Sequence, residues 1–154
     1  MQTNKKVYAF TLSEMIVVLV LTSIVVGLAF SVLGLVQKQM TAIKDNYNKN
    51  LELNKLETSL WLDFNRYSSI SYDSLEDELL LINELDSMSY KFSERYIIKE
   101  QDTFFIQLEN KELYFNGVSS ITHQVDAIKL RTSKAFLNRE LFVFKKNDAN
   151  TFMK

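Results

Sequence analysis

The chain has no cysteine and no proline, and its 154 residues hold only three glycines, one histidine and one tryptophan. Without cysteine there is no disulfide, no thiol nucleophile and no zinc–thiolate centre. Without proline, nothing forces a kink into a helix or presets a turn. Gly27, Gly34 and Gly117 lie too far apart to build a phosphate-cradling loop. His123 has no nucleophile elbow or comparable signature around it, so a turn or solvent histidine is the simplest reading and no catalysis is expected. Charge is nearly balanced, with 18 Lys and Arg against 19 Asp and Glu. That balance asks for neither nucleic acid nor an acidic substrate.

One stretch lacks charge altogether. No ionisable side chain occurs between Glu14 and Lys38, and residues 15–36 are mostly Ile, Val, Leu, Met and Phe. At about 1.5 Å per residue this run covers ~33 Å as a helix, about one hydrocarbon thickness. It is longer than the ~7–15-residue apolar core of a secretory signal peptide. The residues after it, Gln37-Lys38-Gln39-Met40, also offer no Ala-x-Ala cleavage pattern. Lys5 and Lys6 precede the run, and the excess of positive charge there predicts a cytoplasmic N-terminus. Thr11-Leu12-Ser13-Glu14 fits a capping box, with Thr11 as N-cap and Glu14 returning to the backbone N–H of Thr11. A carboxylate beside hydrocarbon is costly and calls for a partner or a role.

The order of these parts (a basic leader, the small Ala9, the aromatic Phe10, Glu14 and the apolar run) resembles the processing and methylation signature of type IV pilins and pseudopilins. The resemblance covers roughly residues 5 to 36. It implies cleavage between Ala9 and Phe10 by a prepilin peptidase, N-methylation of Phe10, and use of Glu14 as the assembly carboxylate. Within a bundle of such helices, Glu14 of one subunit would neutralise the amino terminus of a neighbour and set the axial register. Two departures from the family pattern stand out. Ala9 replaces the usual Gly before the cut, and the helix lacks the proline many members carry, leaving Gly27 and Gly34 as softer weak points.

Beyond the run, residues 37–64 continue a helical pattern with no Gly or Pro to stop it. At 100° per residue, Met40, Ile43, Tyr47 and Leu51 fall on one side, and Leu53, Leu56, Leu60 and Phe64 fall nearly opposite. One core cannot use both stripes. The first is expected to meet other subunits and the second to pack on the protein's own head, the alternative being a break near residues 50–54. A continuous helix over 12–62 would be ~76 Å long, which suits a filament subunit. Past Arg66, seven short strands are predicted at 79–82, 89–92, 96–99, 103–108, 112–115, 127–132 and 140–144. Asn110-Lys111 reads as a hairpin turn and Asn116-Gly117 as a stronger one. Phe104, Phe105, Phe115, Phe142 and Phe144 are expected in the core or on a sheet face, and Trp61 in the core or an interface.

The expected fold is α+β and pilin-like: a long N-terminal helix, membrane-spanning in its first half and packed by its second half on a small antiparallel β-sheet. Its parts are a cleaved leader (1–9), a transmembrane and assembly half of the helix (10–36), an outer half (37–64) and an antiparallel β head (65–154).

Two charge clusters remain. Asp73, Glu76, Asp77, Glu78, Glu84 and Asp86 form an acidic stretch, for which calcium is one reading. Its spacing fits no EF-hand loop, and a solvated or partner-facing surface is preferred; otherwise no cofactor or metal is expected. Lys129, Arg131, Lys134, Arg139, Lys145 and Lys146 gather later and could touch DNA phosphates if they shared one face, but no nucleic-acid motif accompanies them.

These features lead to a structural subunit rather than an enzyme. The strand-rich outer sequence loosely resembles the J-type minor pseudopilins of type II secretion, which implies a short filament that drives protein export. The expected partners are other pilin-like subunits, the prepilin peptidase/methyltransferase and an inner-membrane assembly platform. The chain would cross the cytoplasmic membrane once, its C-terminal domain outside the cytoplasm. A minor type IV pilin or competence pseudopilin is the alternative within the family. A membrane-anchored extracytoplasmic binding domain with an uncleaved anchor is the alternative from another class.

Overall fold

A computed structural model describes residues 11–119 and 124–146. Its contacts divide the chain into two units, Met1–Asp45 and Asn46–Lys154. Helix α1 (Leu12–Arg66) runs through 55 residues and passes Gly27, Gly34 and 50–54 without interruption. Nothing in its sequence blocks an i→i+4 hydrogen bond, because proline is absent.

In the first unit every described side chain is exposed. The apolar run therefore has no protein core of its own, as a segment solvated by lipid requires. Two of its hydroxyls turn inward to the backbone. Thr22 Oγ1 donates to the carbonyls of Val18 and Leu19 at 2.9 Å each, and Ser23 Oγ donates to that of Leu19 at 2.8 Å. Hydrocarbon would otherwise leave these groups unsatisfied.

Among the described residues, the second unit holds nine strands in two antiparallel sheets. The first sheet has the order β1-β2-β3-β4-β5 and contains β1 (Ser69–Asp73), β2 (Glu78–Ile82), β3 (Ser87–Phe92), β4 (Ile97–Lys99) and β5 (Asp102–Phe104). The second has the order β7-β6-β8-β9 and contains β6 (Leu108–Phe115), β7 (Val118–Ser119), β8 (Ala127–Thr132) and β9 (Glu140–Phe144). The α+β layout of a long N-terminal helix followed by antiparallel strands is as the sequence predicts, with the strands divided between two sheets.

Both sheets and the helix share one core. Leu53, Leu56, Leu60 and Phe64 of α1 are fully buried with Leu79, Leu81, Tyr90 and Ile97 of the first sheet and Ile128, Leu130 and Val143 of the second. The opposite stripe of Met40, Ile43, Tyr47 and Leu51 is exposed. The 180° change of apolar face is therefore real, and the second stripe faces the chain's own core.

Three strand expectations need correction. Asn110-Lys111 is no turn: both residues lie inside the eight-residue β6, beside a bulge between Leu108 and Asn110. A two-residue I′ hairpin needs positive φ at both central positions, which a lysine resists. The break falls instead at residues 105–107, where the chain leaves the first sheet for the second. Phe105 lies in this connection with 68% of its surface exposed, so it is not a core residue. Strand β1 was not anticipated, because Ser-Ile-Ser-Tyr-Asp reads as polar; only Ile70 of that strand is buried. The Asn116-Gly117 turn forms as expected, at φ +52° and +76°, and joins Phe115 to Val118.

Candidate functional site

At the head of α1, Thr11 and Glu14 close on each other. Glu14 Oε2 accepts from the Thr11 backbone N–H at 2.9 Å and from its hydroxyl at 3.1 Å, while the Glu14 N–H donates to Thr11 Oγ1 at 3.3 Å. The first i→i+4 bond, from the Met15 N–H to the Thr11 carbonyl at 3.2 Å, follows at once. This is a capping box in which a carboxylate also opposes the positive end of the helix dipole. Among the described residues, Glu14 Oε1 accepts no hydrogen bond. The carboxylate is thus held in place through one oxygen while the other stays available at an exposed site. Ala9 and Phe10 lie outside the described residues, as do the leader and His123.

In the head, the late basic residues do not form one free surface. Lys129 and Arg131 both reach Glu140, at 3.1 and 2.6 Å. The neighbouring Arg131 and then Lys129 hold the Glu140 carboxyl below the usual carboxylate range. Lys145 Nζ donates to the carbonyls of Tyr67 and Ser68 at 2.6 Å, and Arg139 donates to Asn50 Oδ1 at 2.9 Å. The acidic stretch is similarly engaged. Glu76 pairs with Lys91 at 2.9 Å, Asp77 pairs with Lys111, and Asp86 accepts from Arg66 at 3.4 Å and from the Tyr67 hydroxyl at 3.0 Å. Among the described residues, no three His, Cys, Asp or Glu side chains gather as a metal site would need.

Sequence reasoning missed a buried polar cluster. Asp63 lies on the buried side of α1 and pairs with Lys99 Nζ at 2.7 Å, the two side chains retaining only 7% and 18% exposure. The Tyr90 hydroxyl donates to Asp63 Oδ2 at 2.5 Å and lies 2.8 Å from Ser59 Oγ, which also accepts from Lys99 at 2.8 Å. Burial first, and then the Asp63 carboxylate, push the Tyr90 phenol far above its ordinary range. The cluster is closed, every member hydrogen-bonded to another. Its signal in the sequence was the spacing of Asp63 from Leu56 and Leu60, which puts a carboxylate on an apolar face.

An N-terminal helix of this length and apolar character, capped by a glutamate and followed by an antiparallel head, has the layout of pilin-like, membrane-anchored chains. The family profile described as Prokaryotic N-terminal methylation motif matches residues 4–30. The match supports a type IV pilin-like assignment for the N-terminal segment and marks the chain as a prepilin peptidase substrate; it does not reach the head. No curated protein and no solved structure matches the chain. Among the described residues, α1 is the one helix long and apolar enough to cross a membrane, which with the motif supports anchoring in the inner membrane.

Proposed function

We propose that the protein is a structural subunit of a type II secretion-like filament. It inserts through residues 10–36 with the N-terminus cytoplasmic and the head outside. The leader 1–9 is removed between Ala9 and Phe10, Phe10 is methylated, and the subunit joins the filament through Glu14. It catalyses nothing and holds no cofactor. The observation that carries this reading is the methylation motif lying on the head of the apolar helix, with Glu14 fixed at the first turn and one carboxylate oxygen available. Within that filament, the strand-rich head suits the place of a minor, J-type-like pseudopilin.

Two measurements test the reading. Protein recovered from native membranes should begin at N-methylated Phe10 by intact mass and N-terminal sequencing, and Ala9→Leu should abolish that trimming. A chain still starting at Met1 would point to an anchored binding domain with Glu14 as a cap alone. Separately, Glu14→Ala should leave membrane insertion intact and strongly reduce crosslinking to sister subunits, whereas undiminished crosslinking would refute the pairing role. The DNA-uptake alternative is disfavoured because Lys129 and Arg131 are already engaged by Glu140.

A further inference from the structure

The outer face of the second sheet carries a row of aromatic rings. Strand register sets the layout. Tyr114 of β6 pairs with Ala127 of β8, which pairs with Phe144 of β9, and the adjacent row is Glu112, Lys129 and Phe142. Leu113, Ile128, Leu130, Leu141 and Val143 are buried in the core, so alternation puts both rows on the opposite face. The rings touch in sequence. Trp61 of α1 meets Phe144 edge-on at 5.0 Å, Phe144 lies 6.0 Å from Phe142, and Phe142 meets Tyr114 edge-on at 6.1 Å. This packing does not hide them: Phe142 and Phe144 remain 48% and 41% exposed.

Ala127 leaves a gap in the row. Its short side chain lies between the larger Tyr114 and Phe144, and there opens a cavity of about 500 Å³ whose walls include Tyr114, Phe142, Lys129 and Glu140. That volume is in the range of small-molecule sites, and a mostly apolar lining with a few polar groups is their usual make-up.

The polar groups select the ligand. Lys129 and Glu140 pair at 3.1 Å, and Arg131 reaches the other Glu140 oxygen at 2.6 Å. Asp126, also in the wall, accepts the Asn116 N–H at 2.7 Å. The cavity thus has no excess of positive charge to draw a phosphate or another anion. Its ion pair is balanced in charge without being exhausted in hydrogen bonding. An ammonium has more N–H groups than the one Lys129 gives to Glu140, and a carboxylate oxygen can accept more than the one bond made to Glu140 Oε2. Both side chains are partly exposed, at 27% and 44%, so a ligand can reach them. A sugar matches this wall. Its hydroxyls give and accept hydrogen bonds, and its C–H groups carry the partial positive charge that an aromatic face attracts.

We infer that this cavity binds a neutral saccharide, a hexopyranose unit of a glycan. The C–H face of the sugar rests on Phe142 and Tyr114, and its hydroxyls bond Lys129 and Glu140. A neutral ligand leaves the Lys129–Glu140 pair intact, whereas an anion would compete with Glu140 for the same ammonium. The site uses neither the leader nor Glu14, so it stands or falls apart from the filament reading.

Trp61 is the chain's one tryptophan and touches Phe144, which puts a fluorescent reporter at the end of the ring row. Full-length protein, purified from membranes in a detergent without a sugar headgroup, is titrated with cellotetraose, maltotetraose, mannotetraose and chitotetraose. Trp61 emission and isothermal calorimetry follow the same samples. At least one tetrasaccharide should bind saturably with Kd below about 1 mM. Phe142→Ala should weaken that binding roughly tenfold or more, and Phe142→Tyr should retain it. Phe105→Ala, at an exposed ring outside the cavity, should leave it unchanged. Phe142 is half-exposed, so its truncation spares the core, and an unaltered circular dichroism spectrum would check that. Absence of saturable binding to all four sugars would overturn the proposal. Equal losses in Phe142→Ala and Phe105→Ala, or tighter binding of inorganic phosphate than of any neutral sugar, would overturn it as well.

Discussion

Asp63 shares a helix face with Leu56, Leu60 and Phe64, where a carboxylate is tolerated only because Lys99, Tyr90 and Ser59 enclose it. Removing one member strands the rest. Breaking a buried pair costs about 3–5 kcal/mol, and partial solvent access at Lys99 lowers the expectation for Asp63→Ala to about 2–3 kcal/mol, measurable by chemical denaturation. Replacing both charges by apolar groups should cost less than either single change, since no orphan remains. Tyr90 adds a pH dependence of definite sign. Its folded pKa is raised, so its contribution is complete below the unfolded tyrosine value of about 10 and is lost as pH rises beyond it. Stability should fall above about pH 10 by this route, and Tyr90→Phe should flatten that decline in a pH series of unfolding midpoints. Of these residues, Asp63 alone carries a signal in the local sequence, a charge spaced onto an apolar face, and the sequence reading passed over it. Its partners carry none, because Tyr90 and Lys99 reach it only through the register of β3 and β4.

Among the elements, α1 was the most legible. Its N-terminal capping box follows from a local motif, and its uninterrupted run and the opposed stripes at 40–51 and 53–64 from 3.6-residue periodicity, all of which local sequence carries. Leu56→Ala should cost about 2–5 kcal/mol of head stability, whereas Ile43→Ala, on the exposed stripe, should leave thermal unfolding of the head unchanged. The sheets were only partly legible. Asn116-Gly117 announces its turn because positive φ at both positions favours this pair, and Gly117→Val should destabilise the hairpin by roughly 1–2 kcal/mol. Strand β6 misled because its exchange of partners occurs at Phe105-Ile106-Gln107, which contains no turn residue. Ile106 is fully buried there, and its N–H donates to the Phe104 carbonyl at 3.0 Å, so a tight turn with no signature residue bends the chain. Lys111, which looked like a turn residue, is instead held half-buried against Asp77, with its ammonium 4.6 and 4.3 Å from the rings of Tyr72 and Phe92. A cation from the second sheet is thereby anchored on the first, a tertiary fact that no local pattern encodes.

At the scale of the molecule, the described core draws nothing from the first unit. It begins at Leu53, and every described side chain up to residue 45 is exposed. A chain starting at Asn46 should accordingly be soluble and unfold cooperatively, which near-ultraviolet circular dichroism on heating would check. The methylation motif belongs to the other unit, and its match ends at residue 30. Membrane attachment and head architecture are therefore written in separate parts of the sequence, and the profile match lies in the first.

The first two hairpin tips of the first sheet, between β1 and β2 and between β2 and β3, expose Leu75 and Leu85 at 95% and 97%. Neither side chain takes part in the core, and the turns around them are built by neighbours: Asp73 Oδ1 receives the Leu75 N–H, and Asn83 Oδ1 receives those of Leu85 and Asp86. In a chain without a thiol, Leu85→Cys creates a unique chemical address that perturbs nothing beneath it. A maleimide unable to cross the bilayer, applied to intact cells and then to permeabilised ones, would read from that address which side of the membrane the head occupies.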